Sequence, residues 1–124
     1  MYEVDEVMRH VISLLSTMED ATQYVDKAFE KLEFEKTEHM LLEVLEAFNS
    51  VKYATDLLKS DIPSLNTVAF ETLELKCYEK LYFTISKLSS KDYVSNRRLL
   101  SEYVTLFDQW RRFIIQALGT VYIN

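Results

Sequence analysis

The chain contains 124 residues, with a single glycine, Gly119, and a single proline, Pro63. A domain of this length ordinarily carries about eight or nine glycines and about six prolines. Tight β-turns, phosphate-binding loops and dinucleotide-binding turns depend on these residues, so β-sandwiches and nucleotide-binding folds are disfavoured. We therefore expect one domain over residues 1–124, built from long helices around a single core.

The net charge of −6 is unevenly distributed along the chain. Residues 1–60 contain 13 acidic and 6 basic residues, whereas residues 61–124 contain 7 acidic and 8 basic ones. An acidic chain is poorly suited to nucleic acids or anionic membranes, which are bound through lysine and arginine. The lone Cys77 cannot form an intramolecular disulfide, which argues against a secreted protein. The start of the sequence is acidic, whereas a signal peptide begins with basic and then apolar residues, so we expect a cytoplasmic protein.

Residues 3–33 show the apolar periodicity of an amphipathic helix. One row of apolar residues falls at seven-residue intervals and comprises Val4, Val11, Met18, Val25 and Leu32. Met8, Leu15 and Phe29 widen this stripe beyond a coiled-coil seam, as is typical of a helix in a bundle.

A second helix is predicted to begin at Thr37, whose hydroxyl can cap it, and to stop near Lys59. Pro63 follows in the only strong break of the sequence, because proline lacks an amide donor and clashes with a preceding helical turn.

A third helix is predicted over 65–88 and a fourth after Asp92, a plausible N-cap, ending at Gly119 in a left-handed C-cap. Its buried face is predicted to comprise Leu100, Tyr103, Phe107, Trp110, Ile114 and Ala117. The four helices predict an all-α, antiparallel up-down-up-down four-helix bundle made of two hairpins, residues 1–60 and 64–124.

Groups that could carry catalysis or bind a metal are scarce. His10 and His39 each follow a glutamate by four residues, but they begin different helices of one hairpin, roughly 35 Å apart, and cannot share a metal. Cys77 falls on the apolar stripe of the third helix, where thiols are usually inert. We therefore expect no enzyme activity, no catalytic residue, no metal site and no cofactor.

Glu74 departs from the apolar pattern, because it falls on the inward face of the third helix. Arg111 lies at the edge of the inward face of the fourth helix, about one turn away if these helices form a hairpin. This placement predicts a semi-buried Glu74–Arg111 ion pair that sets helix register. The alternative is that Glu74 bends outward to solvent.

Phe83 lies on the polar side of the third helix, and Tyr78 and Tyr82 widen the apolar arc of that helix on one side. Exposed aromatic residues of this kind favour a partner or dimer surface, although isolated ones are also ordinary on protein surfaces.

Four of the five arginines occur on the fourth helix, as Arg97, Arg98, Arg111 and Arg112. Arginine is favoured at interfaces because its planar fork pairs with carboxylates. These residues could dock the acidic first hairpin of the same chain, of a second copy or of another protein, or simply be solvated. We assign Arg97, Arg98 and Arg112, with Tyr78, Tyr82 and Phe83, to a hypothetical partner-binding surface.

The turn Ser89-Ser90-Lys91-Asp92 and the following stripe with Trp110 resemble the last core helix of flagellar secretion chaperones. The chain is also similar to small uncharacterised helical proteins of Gram-positive bacteria with a tryptophan in a similar position. Flagellar secretion chaperones are cytosolic helical bundles that bind a helical export substrate, so the resemblance implies a bundle with a binding role. It transfers no binding residues.

Three functions remain open from the sequence. The first is a non-enzymatic adaptor or chaperone-like bundle that recognises another protein through helix faces. The second is a homo-oligomeric structural bundle that pairs with a second copy. The third is an immunity or antitoxin type of bundle that binds a basic partner through its acidic first hairpin.

Overall fold

A computed structural model describes residues 3–90 and 92–122, the last two of them by their backbone only. Within these ranges the chain forms helices α1 (Val4–Glu30), α2 (Phe34–Leu58), α3 (Val68–Lys87) and α4 (Tyr93–Tyr122), with a 3-10 turn at Pro63–Leu65. The helices contact one another in cyclic order, α1 with α2, α2 with α3, α3 with α4, and α4 with α1. This arrangement confirms the antiparallel up-down-up-down four-helix bundle.

The core follows the predicted stripes on α4 and α1. All six residues predicted for the inner face of α4 are buried. On α1 the middle of the predicted row, Val11, Met18 and Val25, is buried, and so are the residues that widen the stripe, Met8, Leu15 and Phe29. Leu32, predicted as the end of the apolar row, is instead exposed because α1 ends at Glu30.

The turn between α1 and α2 places a leucine where helices usually carry glycine. Leu32 has a φ of 62° and is the only non-glycine residue of the described ranges with positive φ. The amide of Glu33 donates to the carbonyl of Ala28 at 2.9 Å, and that of Leu32 donates to Phe29 at 3.0 Å. These two bonds form a Schellman motif, which reverses the chain within three residues.

The predicted cap at Thr37 is wrong, because α2 already begins at Phe34. Thr37 lies within the first turn of α2, where its buried hydroxyl donates to the carbonyl of Glu33 at 3.0 Å. The helix starts earlier than predicted because the Schellman turn at Leu32 leads directly into it.

The remaining helix boundaries follow the predictions in part. Helix α2 ends at Leu58, one residue before the predicted stop, and Pro63 opens the 3-10 turn. This turn delays α3 to Val68, where Thr67 caps it by accepting the amide of Phe70 at 3.2 Å. Asp92 caps α4 as predicted, since its carboxylate accepts the amide of Ser95 at 3.1 Å.

The predicted C-cap at Gly119 is wrong, because α4 continues past this residue to Tyr122. Gly119 therefore adopts helical geometry, and no glycine of the described ranges has a positive φ. The single left-handed cap in these ranges is formed by Leu32, so glycine scarcity did not prevent a glycine-type turn.

Replacing Leu32 with glycine should stabilise the fold. A leucine in the left-handed region costs about 1–2 kcal/mol, and the glycine variant loses part of that gain through its more flexible unfolded chain. We expect the free energy of unfolding in urea to rise by about 0.5–1 kcal/mol for Leu32→Gly. The control Leu42→Gly, at an exposed position inside α2, should be destabilised by about 1 kcal/mol. Destabilisation by both variants would contradict the strained turn.

Candidate functional site

Trp110 lies at the point where α2, α3 and α4 meet in the core. Its side chain is fully buried, and its ring stacks on Phe48 of α2 with the centroids 4.4 Å apart. Its indole nitrogen donates a hydrogen bond of 3.1 Å to Oε2 of Glu74 on α3. A buried indole N–H needs an acceptor, and Glu74 supplies it.

The predicted Glu74–Arg111 ion pair is wrong. Glu74 does lie inward, with only 6% of its surface exposed, but its partner is Trp110. The guanidinium of Arg111 pairs with Asp108 at 3.0 Å on its own helix and with Glu19 of α1 at 3.5 Å. Trp110 precedes Arg111 by one residue, which is a rotation of about 100° on a helix, so it faces α3 while Arg111 faces α1.

Sequence reasoning missed the Trp110–Glu74 bond because it treated Trp110 only as an apolar core residue. The signal that could have found it is an inward glutamate on one helix of a hairpin opposite an inward tryptophan on the other. The tryptophan brings a single donor into the core, and the nearest inward polar group is then its natural acceptor.

The environment of Glu74 shifts the pKa of its carboxyl. Burial raises the pKa of this carboxyl above its ordinary value of 4.5, and the bond from Trp110 offsets only part of the shift. A carboxyl with a raised pKa in the folded state lowers stability as pH rises from its unfolded pKa to its folded pKa. Above that window the cost of holding a buried carboxylate remains in full.

The substitution Glu74→Gln should therefore become more favourable as pH rises. Glutamine keeps an acceptor for Trp110 but carries no charge, so its advantage over glutamate should grow above about pH 4.5 and then level off. Glu74→Leu removes the acceptor, so its free energy of unfolding should be about 1–3 kcal/mol lower than that of Glu74→Gln. Urea unfolding at several pH values measures both effects. A difference between wild type and Glu74→Gln that does not change with pH would contradict the buried carboxylate.

The arginines of α4 do not form one free surface. Arg97 donates to Asp26 of α1 at 2.6 Å and approaches Glu30 at 3.7 Å, so it joins α4 to the acidic first hairpin within the chain. Arg98 and Arg112 are exposed and pair within α4, with Glu102 at 3.5 Å and Asp108 at 2.8 Å respectively. The assignment of Arg97 to a partner surface is thus corrected to a contact between helices.

Arg97 should contribute more to stability than its neighbour Arg98. The pair with Asp26 is partly shielded and connects two helices, so Arg97→Ala should lower the free energy of unfolding by about 0.5–1 kcal/mol. Arg98→Ala removes only an exposed contact within one helix turn and should cost less than about 0.5 kcal/mol. Equal losses in thermal or urea unfolding would contradict the assigned role of Arg97.

The outer face of α3 carries large apolar side chains that are exposed. Val68, Leu75 and Tyr82 are 80%, 56% and 59% exposed and are spaced seven residues apart, which places them on one face. We call these three residues the α3 stripe. Tyr78 is half-buried beside the stripe, with its ring centroid 5.9 Å from that of Phe48 and 6.3 Å from that of Tyr82.

Phe83 lies on the other side of α3, toward α4. Its ring is exposed, and Lys87 Nζ lies 5.4 Å from the ring centroid. Leu106 of α4 borders the same shallow depression. The structure therefore separates Phe83 from Tyr78, and the two aromatic residues flank the α3 stripe from opposite sides.

A cavity of about 520 Å³ opens between α2 and α3, beside the α3 stripe. We call it the α2–α3 cavity. Apolar walls come from Phe48, Leu75 and Tyr78, and Glu74 also lines it. The remaining lining residues are polar or charged and comprise Asn49, Lys52, Asp56, Lys59 and Glu71.

Burial disfavours ionisation of two further titratable groups, Cys77 and Tyr103. Cys77 is fully buried, and burial raises the pKa of its thiol to about 12. Burial likewise raises the pKa of Tyr103, whose hydroxyl lies 3.4 Å from that of Thr22. His39 is exposed and contacts Glu43 at 3.4 Å rather than Glu35. Among the described residues, no three histidine, cysteine, aspartate or glutamate side chains are grouped to hold a metal ion.

The fold defines the class as an all-α four-helix bundle, and no helix of the described ranges is both long and apolar enough to cross a membrane. The model of the family described as Domain of unknown function (DUF8042) matches residues 6–113, so the chain belongs to this family. Neither the curated proteins nor the solved structures contain a match.

Proposed function

We propose that the protein is a non-enzymatic binding protein, adaptor or chaperone-like, that docks a helical partner on the α3 stripe. The observation that supports this proposal is the seven-residue spacing of three exposed apolar side chains, Val68, Leu75 and Tyr82. An apolar row with this spacing suits an amphipathic helix of another protein, whose own row packs against it. The resemblance to flagellar secretion chaperones is consistent with the same role.

The flanking groups favour a partner that combines apolar and acidic side chains. Tyr78 and Phe83 extend the apolar surface on either side of the stripe, and Lys87 lies beside Phe83. Lys76 and Lys80 also line the depression at Phe83, although Lys80 is already paired with Glu102 at 2.8 Å. Aromatic residues are enriched at protein interfaces, and the lysines beside them would attract carboxylates of a partner.

The other two functions have weaker support. The acidic first hairpin, which an antitoxin would use, has Glu19, Asp26 and Glu30 matched by Arg97 and Arg111 of the same chain. Part of the charge available to a basic partner is thus already neutralised. A homo-oligomer would use the α3 stripe of two copies, and light scattering of the purified protein over a range of concentrations distinguishes it from a hetero-complex.

Substituting Tyr82 should abolish partner capture without unfolding the protein. Tyr82→Asp places a charge within the proposed interface, where burying it without a counter-charge is costly. Tyr53→Asp is a matched control, because Tyr53 is an exposed tyrosine on α2 outside the stripe. Affinity purification from the native host should recover the partner with wild type and Tyr53→Asp, and at least about tenfold less of it with Tyr82→Asp.

Circular dichroism should show the same helicity for all three proteins, since both tyrosines are exposed. Recovery of the same proteins in the same amounts with Tyr82→Asp would contradict the α3 stripe as the docking surface. Self-association of wild type that Tyr82→Asp abolishes would instead favour the homo-oligomer.

A further inference from the structure

The α2–α3 cavity has a carboxyl oxygen at its inner end that no protein group satisfies. Glu74 is more than nine-tenths buried, and Trp110 bonds only its Oε2. Oε1 has no hydrogen-bond partner among the described residues. Every side-chain oxygen that is fully buried in these residues does have a partner. Oε1 therefore keeps some accessible surface, and Glu74 lines the α2–α3 cavity.

The charges around the cavity leave room for one additional cation. Lys59 pairs with both Asp56 at 3.1 Å and Glu71 at 3.3 Å, so these three groups largely satisfy one another. Lys52 is exposed and makes no ion pair in the described part of the chain. With Glu74 ionised, the five charged side chains that line the cavity sum to one negative charge.

The walls suit the apolar body of a small organic cation. Tyr78 presents an aromatic ring and Leu75 adds an aliphatic surface, whereas Phe48, which also lines the cavity, has no exposed surface. Aromatic faces attract ammonium groups, most strongly where water is partly excluded. The volume of about 520 Å³ lies within the range of small-molecule sites, which is about 300–1,000 Å³.

We propose that the α2–α3 cavity binds a small organic ammonium ion, a primary amine on an apolar body. The ammonium group donates to Oε1 of Glu74, and the apolar body packs against Leu75 and Tyr78. An anion would face the Glu74 carboxylate at the inner end of the cavity, whereas the one unpaired cation, Lys52, lies at the exposed rim. The site shares Leu75 with the α3 stripe, so it lies at the edge of the proposed docking surface.

Trp110 provides the readout for a test on the purified protein. It is the only tryptophan of the chain, and its indole is bonded to the carboxyl that would hold the amine. Titration with phenethylamine should change its fluorescence saturably at concentrations up to about 10 mM. The neutral 2-phenylethanol and the anion 3-phenylpropanoate should each bind at least about tenfold more weakly than the amine.

Three substitutions test whether the charge of Glu74 holds the amine. Glu74→Gln keeps an acceptor for Trp110 and should weaken amine binding at least about tenfold. Lys52→Gln removes the competing cation and should strengthen it, by about threefold. The control Glu79→Gln alters an exposed glutamate of α3 outside the cavity and should leave the affinity unchanged.

Several results would overturn the proposal. These are no saturable response of wild type to the amine, unchanged amine affinity in Glu74→Gln, or tighter binding of 3-phenylpropanoate. Weaker amine binding by Lys52→Gln would also contradict the proposal, because removal of the competing cation should strengthen binding. If Glu74→Gln proves unfolded by circular dichroism, the ligand series on wild type and the Lys52→Gln result decide the question. None of these measurements involves a protein partner, so a negative result for the amine would not contradict the docking proposal.

Discussion

The hydrogen bond between Trp110 and Glu74 is the contact on which the interior of this bundle depends. It places the indole donor of the core on the one carboxyl that is buried among the described residues, while the same ring stacks on Phe48. Three helices are thereby joined at a single residue. The bond also explains why a glutamate is tolerated on an inner face: an apolar residue at position 74 would leave a buried N–H without an acceptor.

This polar contact lies beside the α2–α3 cavity, at the seam between the two hairpins. A charged group and its cavity occupy space that a purely apolar interface would fill, so the seam between the two hairpins is partly open at this point. Elsewhere the hairpins are joined by ion pairs of partly exposed residues, Arg97 with Asp26 and Arg111 with Glu19. Two of the four arginines of α4, Arg97 and Arg111, thus meet the acidic first hairpin of the same chain, whereas Arg98 and Arg112 pair within α4.

The fold was predictable from the sequence because helical periodicity is a local property. The inner face of α4, the break at Pro63 and the Asp92 cap each depend on residues within one or two turns, and all three are confirmed. The failures concern turns and partners. The glycine rule pointed to Gly119 for the left-handed cap, but the Schellman bonds of α1 impose that conformation on Leu32.

The sequence by itself determined the helix count, the class of fold and the residues of the core, since an apolar stripe must be buried wherever it lies. It also placed Glu74 on the inward face of α3, although the burial of the side chain followed only from the structure. Only the tertiary structure decided which group meets Glu74, because a rotation of one residue on α4 exchanges Arg111 for Trp110. The cavity and the α3 stripe likewise exist only once the helices are packed, because a helix face remains free only where no neighbouring helix covers it.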